Sequence, residues 1–330
     1  MMKPTESLSS NTETAADTLA AMIKRELTVF SCSGYLNPSD PTMVTSHDRM
    51  LLVDWCYDVI DHCEHSRETV ASAMEMVDRF LSMPSNSDEA AGIVDEALHD
   101  QRGFQLLTIT ALYISIKTNE KIVLSSDLFA EMCNRAYSAK EIEDMERILL
   151  CGLSWRCHAP TAHQAGLSIL SLIMPYIDIP EVTWGFLLDE MKYQTEHAVR
   201  DYYFATQRPS TVAMAALFNC IRNIDSCERH ELLESFLCII ECFDFDQPKH
   251  ISAASKRLNC LLQDSQCVTE ETKYVEHEEP SKHTETEIMN SAEDGMKQFL
   301  RIDWREVERL PEDLANNIMS TKHICGCKAA

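Results

Sequence analysis

Glycine is scarce in this chain, with 8 residues among 330. A loop that wraps a phosphate group uses several glycines, so their scarcity argues against a nucleotide-binding loop. The sequence also lacks G-x-x-x-x-G-K-[ST], H-E-x-x-H, G-x-S-x-G and the protein-kinase signature. We therefore expect a protein that is not an enzyme and that uses no cofactor.

Basic charge and long apolar runs are also in short supply. The chain has 29 Lys and Arg against 53 Asp and Glu, a formal net charge of -24. A nucleic-acid surface needs a basic patch, so we expect no nucleic-acid partner. The uncharged run over residues 106–116 is shorter than the roughly 20 residues that cross a bilayer, so we expect no membrane span. Residues 327–330 fit C-a-a-X only formally, and prenylation of Cys327 stays open.

Cysteine is abundant, with 14 residues, but its spacing does not match a zinc site. Most of these cysteines, Cys238 and Cys242 among them, lie in apolar helical sequence. Free cysteine behaves as a small hydrophobic residue, so we interpret them as core residues of a protein from a reducing compartment. The expected location is the nucleus or the cytoplasm.

Two helix-length segments carry no charge on any face. Residues 106–116 form the first, and residues 209–221 repeat the pattern about 105 residues later. A helix that is apolar all round is surrounded by other helices. Ser138 and Glu141 form a capping box that predicts the start of another helix. The pattern indicates two tandem all-helical units.

Four motifs in order then resemble a cyclin box: DRMLLVDWCYDV, MVDRFL, FQLLTITALYISIKTNE and MERILLCGLSW. The resemblance implies an all-α protein with two tandem five-helix cyclin boxes and disordered N- and C-terminal tails. The predicted segments are 1–14 (disordered), 15–45 (N-terminal helix and linker), 46–157 (box 1, with an acidic inserted loop at 84–102), 158–263 (box 2) and 264–330 (an acidic disordered tail, with a candidate amphipathic helix at 296–310). That last helix would either bind a partner or pack on the body.

The resemblance assigns partner contacts to charges that are unremarkable alone. Lys117 by itself complements a helix dipole, and Glu146 is a surface acid. In cyclins, the matching residues contact the backbone of a cyclin-dependent protein kinase around its mobile helix. Glu120 has a weaker claim to the same surface, and Leu150 and Trp155 match the apolar positions that flank it. The resemblance makes Arg49 and Asp78 an internal ion pair that holds the box together.

A third set would form a docking groove for substrates that carry an Arg-x-Leu motif. In cyclins the apolar side chains of this groove take the leucine, and an acid at the position of Asp58 pairs with the arginine. Asp48 stands where the family has Met, which removes an apolar wall. Ordinary core packing is the alternative for Trp55. The predicted groove residues are Asp48, Leu51, Leu52, Trp55, Asp58 and Gln105.

The resemblance implies a cyclin, a regulatory subunit that binds and activates a cyclin-dependent protein kinase in cell-cycle control. Two alternatives stay open. One is a cyclin-fold transcription factor of the general factor IIB type, which needs basic faces that this chain lacks. The other is a cyclin-like scaffold that does not activate a kinase. The sequence does not separate the A, B and D classes of cyclin.

Overall fold

The computed structural model describes residues 4–83 and 88–272, and within these ranges the regular structure is helical. Box 1 follows a long first helix, and box 2 follows box 1. The helices are α1 (Pro4–Thr28), α2 (Ser46–His62), α3 (Glu68–Ser82), α4 (Asp88–His99), α5 (Gln101–Asn119), α6 (Ser126–Met132), α7 (Ala139–Gly152), α8 (Ala162–Ile173), α9 (Glu181–Arg200), α10 (Tyr202–Ala205), α11 (Pro209–Cys220), α12 (Ser226–Cys242) and α13 (Pro248–Thr272). The all-α prediction is confirmed. No helix in the described ranges is long and apolar enough to span a bilayer.

The uncharged helix α5 is the centre of box 1, as its sequence predicts. From Phe104 to Ile116 only Leu106 is not fully buried, and α3, α4 and α7 pack around the helix. The Asp100 carboxylate accepts a hydrogen bond from the amide of Gly103 and caps the first turn. The capping box of Ser138 and Glu141 starts α7, which confirms that prediction.

Box 2 repeats this plan around α11. Pro209 begins the helix, where its missing N–H costs no hydrogen bond. The helices α8, α9 and α13 pack against α11, and its residues form a hydrophobic core separate from that of box 1. Leu19 and Ile23 of α1 belong to the box 2 core, so the N-terminal helix packs on the second box although it precedes the first.

The terminal boundaries differ from the predicted ones. Helix α1 begins at Pro4, eleven residues before the predicted start at residue 15, and α13 continues to Thr272, past the predicted end of box 2 at residue 263. In both cases a helix that packs on the body extends into sequence of polar composition. The candidate amphipathic helix at 296–310 lies outside the described residues.

The inserted segment between α3 and α5 is a helix, so the prediction of a loop over 84–102 is wrong for residues 88–99. Helix α4 buries Ala90 and Ala97 and packs Ile93, Val94 and Leu98 on the box 1 core. These five residues recur at intervals of three and four, which places them on one face. The many acidic residues of this segment favoured the prediction of a loop. They lie on the other faces of α4, so the apolar face can still pack on the core.

Candidate functional site

Lys117 and Glu146 form an ion pair between two helices of box 1. Lys117 lies in the last turn of α5, and Glu146 lies in the middle of α7. The Lys117 Nζ is 2.7 Å from Glu146 Oε1, and the two side chains are 36% and 16% exposed. The predicted contact residues are therefore adjacent and reach the surface together. A partner with free backbone groups can bind both charges at one place.

Tyr113 supports this pair and was not predicted from the sequence. The Lys117 Nζ lies 4.8 Å from the centre of the Tyr113 ring, a distance at which the ring face attracts a cation. The ring also packs on Phe129, with 5.3 Å between ring centres. Burial raises the pKa of Tyr113, so its hydroxyl stays neutral. Tyr113 precedes Lys117 by four residues on α5, and this spacing could have predicted the contact from the sequence.

The apolar members of the predicted surface follow on α7 and in the turn after it. Leu150 is half-buried against the core, one turn beyond Glu146. The Trp155 N–H donates a hydrogen bond to the carbonyl of Leu150 at 2.8 Å, and its φ of 61° turns the chain sharply. The Trp155 side chain is 70% exposed. A large aromatic ring is thus presented to solvent in the turn that follows α7.

Glu120 is not part of this cluster, although the sequence groups it with Lys117. Its carboxylate accepts hydrogen bonds from the amide of Ser66, at 3.0 Å, and from the hydroxyl of Thr69. The Nδ1 atom of His65 lies 3.6 Å from the same carboxylate. Glu120 therefore ties the end of α5 to the start of α3, and we assign it a structural contact.

Arg49 and Asp78 form the predicted internal ion pair between α2 and α3. Arg49 Nε donates to Asp78 Oδ1 at 2.8 Å, and a second guanidinium nitrogen donates to Oδ2 at 2.6 Å. The hydroxyl of Tyr35 donates to the same carboxylate at 2.7 Å. Burial disfavours the guanidinium charge, but Asp78 more than offsets this effect and raises the pKa of Arg49. The pair is fully hydrogen-bonded and almost inaccessible to solvent.

The same arginine also joins the two boxes, which the sequence did not indicate. Arg49 donates a third hydrogen bond to the carbonyl of Val199 on α9, at 2.7 Å. Nearby, the hydroxyl of Tyr57 donates to the carbonyl of Glu196 at 3.0 Å. Arg49 and Asp78 line a cavity of about 340 Å³ at the junction of the boxes. The ion pair therefore holds box 2 as well as box 1.

The predicted docking groove is closed in this structure at its central residues. Trp55 is 2% exposed and belongs to the box 1 core, together with Leu52. Asp48 is the third residue of α2, and its carboxylate accepts a hydrogen bond from the amide of Thr45 at 2.8 Å, within a capping box. The Asp48 carboxylate, which was predicted to face the groove, is thus hydrogen-bonded at the start of α2. Core packing, the alternative for Trp55, describes its position here.

The remaining groove residues differ in their exposure. Gln105 is buried, and its side-chain carbonyl accepts a hydrogen bond from the Tyr137 hydroxyl at 3.1 Å. Leu51 is half-buried and Asp58 is exposed on α2. Burial, followed by the nearby charges of Asp54 and Asp61, raises the pKa of Asp58. Asp58 therefore remains exposed on α2, while Asp54 and Asp61 are paired with Arg200 and Arg67.

Comparison with known proteins agrees with the helical arrangement. Residues 17–158 match the family model described as "Cyclin, N-terminal domain". The putative cyclin-A3-1 of Arabidopsis thaliana is 28% identical over 175 residues, which cover 53% of this chain and 45% of the relative. The G2/mitotic-specific cyclin-B2 of Oryzias latipes is 28% identical over 176 residues, which cover 53% of this chain and 40% of the relative.

A solved structure shares the fold. The X-ray structure of a viral cyclin from herpesvirus saimiri aligns with a TM-score of 0.53 at 14% identity, covering 74% of this chain and 96% of that one. The aligned region spans less than half the length of the two curated relatives. The family match includes α5 and α7, which carry Lys117 and Glu146. Box 1 of this chain is a cyclin N-terminal domain, and the chain is a cyclin-box protein.

Proposed function

We propose that this cyclin-box protein is a regulatory subunit that binds and activates a cyclin-dependent protein kinase. The observation that carries the proposal is the partly exposed Lys117–Glu146 pair, with Leu150 one turn further along α7 and the exposed Trp155 in the turn after that helix. A solvent-exposed tryptophan is typical of a protein interface, where aromatic residues are enriched and often contribute most of the binding energy. The similarity to cyclins of the A and B types supports a kinase as the partner.

The proposed mechanism is positional. Lys117 would donate hydrogen bonds to backbone carbonyls of the kinase, and Glu146 would accept them from backbone amides. These contacts would press the mobile helix of the kinase inward and complete the Lys–Glu ion pair that aligns ATP. Binding energy would then select the active conformation of the kinase, and the cyclin-box protein would perform no chemistry itself.

The site has features that suit this role. Lys117 and Glu146 are paired in the free chain, and each can exchange that partner for a backbone group of the kinase without being left uncompensated. Tyr113 stays against Lys117 and limits the positions that Nζ can take. Two helices packed in one core hold the charges, so little ordering is required on binding.

Trp155 provides a direct test of the apolar part of this surface. Trp155→Ala is expected to weaken kinase binding by about 30-fold, because interface tryptophans often contribute 2 kcal/mol or more. The melting temperature should change little, because the ring is 70% exposed in the free chain. Tyr176→Ala is the matched control, since that aromatic side chain is 74% exposed in box 2. Equal kinase affinity of the two variants, measured by titration calorimetry, would remove Trp155 from the interface.

Docking of Arg-x-Leu substrates is a separate part of the proposal. Its support is limited to α2, where Asp58 is exposed and Leu51 is half-buried, while Asp54 and Asp61 are already paired with Arg200 and Arg67. Binding of the leucine would require the buried Trp55 ring to move. Any docking on this face would therefore depend mainly on charge.

The charge contribution can be measured with one substitution. Asp58→Asn is expected to weaken binding of an Arg-x-Leu peptide by about fivefold, because an exposed ion pair contributes up to about 1 kcal/mol. Asp127→Asn, at an exposed acid on α6, is the control with the same chemistry in the same box. The affinities are compared by titration calorimetry at low salt. An unchanged affinity in Asp58→Asn would exclude this residue from docking.

A further inference from the structure

Two cysteines on α12 lie side by side on the surface of box 2. Cys238 and Cys242 are one turn apart, both are exposed, and their sulfur atoms are 4.0 Å from each other. The inner face of the same helix is fixed in the core by Leu232, Phe236 and Ile239. The expectation that these two cysteines are core residues is therefore wrong, because they lie on the outer face of an amphipathic helix.

Other cysteines of the described ranges lack this combination of exposure and proximity. Cys56, Cys133 and Cys220 are buried, and burial raises the pKa of the Cys133 thiol to about 12. Such thiols are poor ligands because they stay protonated and inaccessible. Cys227 is exposed at the start of the same helix and provides a natural reference for a single surface thiol.

The separation of the two sulfurs suits chelation of one ion. A tetrahedral ion with metal–sulfur bonds of about 2.3 Å holds two sulfur ligands about 3.8 Å apart. The observed 4.0 Å requires only a small rotation of one side chain to reach that value. The helix sets the spacing of the two side chains, so the site is preformed.

A weak hydrogen bond also joins the two thiols. This contact with Cys238 raises the pKa of the Cys242 thiol. Metal binding must displace the thiol protons, so the affinity for the metal falls as the pH falls. Soft ions that bind sulfur strongly are favoured at such a site.

We propose that Cys238 and Cys242 form a two-sulfur site for one soft, thiophilic cation, the class that includes trivalent arsenic. Phenylarsine oxide, which binds two neighbouring thiols at once, is the probe of this site. Its arsenic–oxygen bond breaks, two arsenic–sulfur bonds form to the two thiols, and the thiol protons leave with the oxygen as water. No oxidation or reduction occurs, and a single thiol cannot complete the reaction.

The experiment uses the full chain with Cys325→Ser and Cys327→Ser, because these two residues form a second close pair in the sequence. Intact-mass spectrometry after treatment with one equivalent of phenylarsine oxide is expected to show one added phenylarsenic group. The melting temperature should rise, because the ligand binds the folded helix and crosses one of its turns. Adding Cys238→Ser or Cys242→Ala should abolish both effects, and adding Cys227→Ser should abolish neither.

The opposite results would overturn the proposal. They are the absence of a bound group in the Cys325→Ser/Cys327→Ser chain, or its retention after either Cys238→Ser or Cys242→Ala. Circular dichroism of each variant verifies the fold, which the exposed position of both cysteines should preserve. The result does not depend on kinase activation, so the two proposals succeed or fail independently.

Discussion

Kinase activation is expected to be lost when Lys117 and Glu146 are both replaced by alanine. Each proposed contact is a hydrogen bond to a charged group, which contributes about 1.5–3 kcal/mol. Loss of both should weaken kinase binding by about 100-fold or more. The fold should remain, because the two residues neutralise each other and a partly exposed ion pair stabilises a protein by about 0–1 kcal/mol.

Measurement of this effect requires a kinase and a matched variant. The wild-type chain first recovers its kinase by pull-down and mass spectrometry, and phosphorylation of a histone substrate then reports activation. Lys140→Ala with Asp144→Ala is the control, because these residues form an exposed ion pair of 2.6 Å on the same helix as Glu146. Full activation by the Lys117→Ala/Glu146→Ala variant would refute the proposed interface. Binding of the kinase by the wild-type chain without activation would instead favour the alternative of a scaffold that does not activate a kinase.

Among the proposed variants, Arg49→Ala should cause the largest loss of stability. It leaves Asp78 buried without its guanidinium partner and leaves the Val199 carbonyl without its donor. Removal of one member of a buried ion pair costs about 3–5 kcal/mol. For a folded region of this size, the melting temperature should fall on the order of 10 °C. Thermal unfolding followed by circular dichroism measures the change.

Two further variants separate burial from charge. Arg135→Ala removes an arginine of an exposed ion pair on the surface of box 1 and should leave the melting temperature nearly unchanged. Arg49→Met with Asp78→Leu removes both buried charges and should destabilise the protein less than Arg49→Ala alone. A melting temperature for Arg49→Ala within a degree of that of the wild type would show that the pair is not buried in solution.

Helix packing within box 1 explains where Glu120 and Trp55 differed from expectation. The resemblance placed Lys117 and Glu146 on one surface, and the structure brings them together as an ion pair because α5 and α7 pack against each other. Glu120 was grouped with Lys117 on the predicted surface, but the carboxylate of Glu120 accepts hydrogen bonds from Ser66 and Thr69 at the start of α3. The resemblance placed Trp55 in a groove, but it does not specify how deeply α2 is packed, and Trp55 is only 2% exposed.

The amino-acid sequence by itself determined the all-helical class, the two central helices and the capping box of α7. These features depend on local periodicity and on residues three or four positions apart, which can be read directly. Only the tertiary structure decided that the acidic insertion folds as α4, that α1 packs on box 2, and that Arg49 reaches Val199. Contacts of this kind join residues far apart in the chain, and they depend on helix crossing angles and side-chain rotamers, which hydrophobic periodicity does not specify.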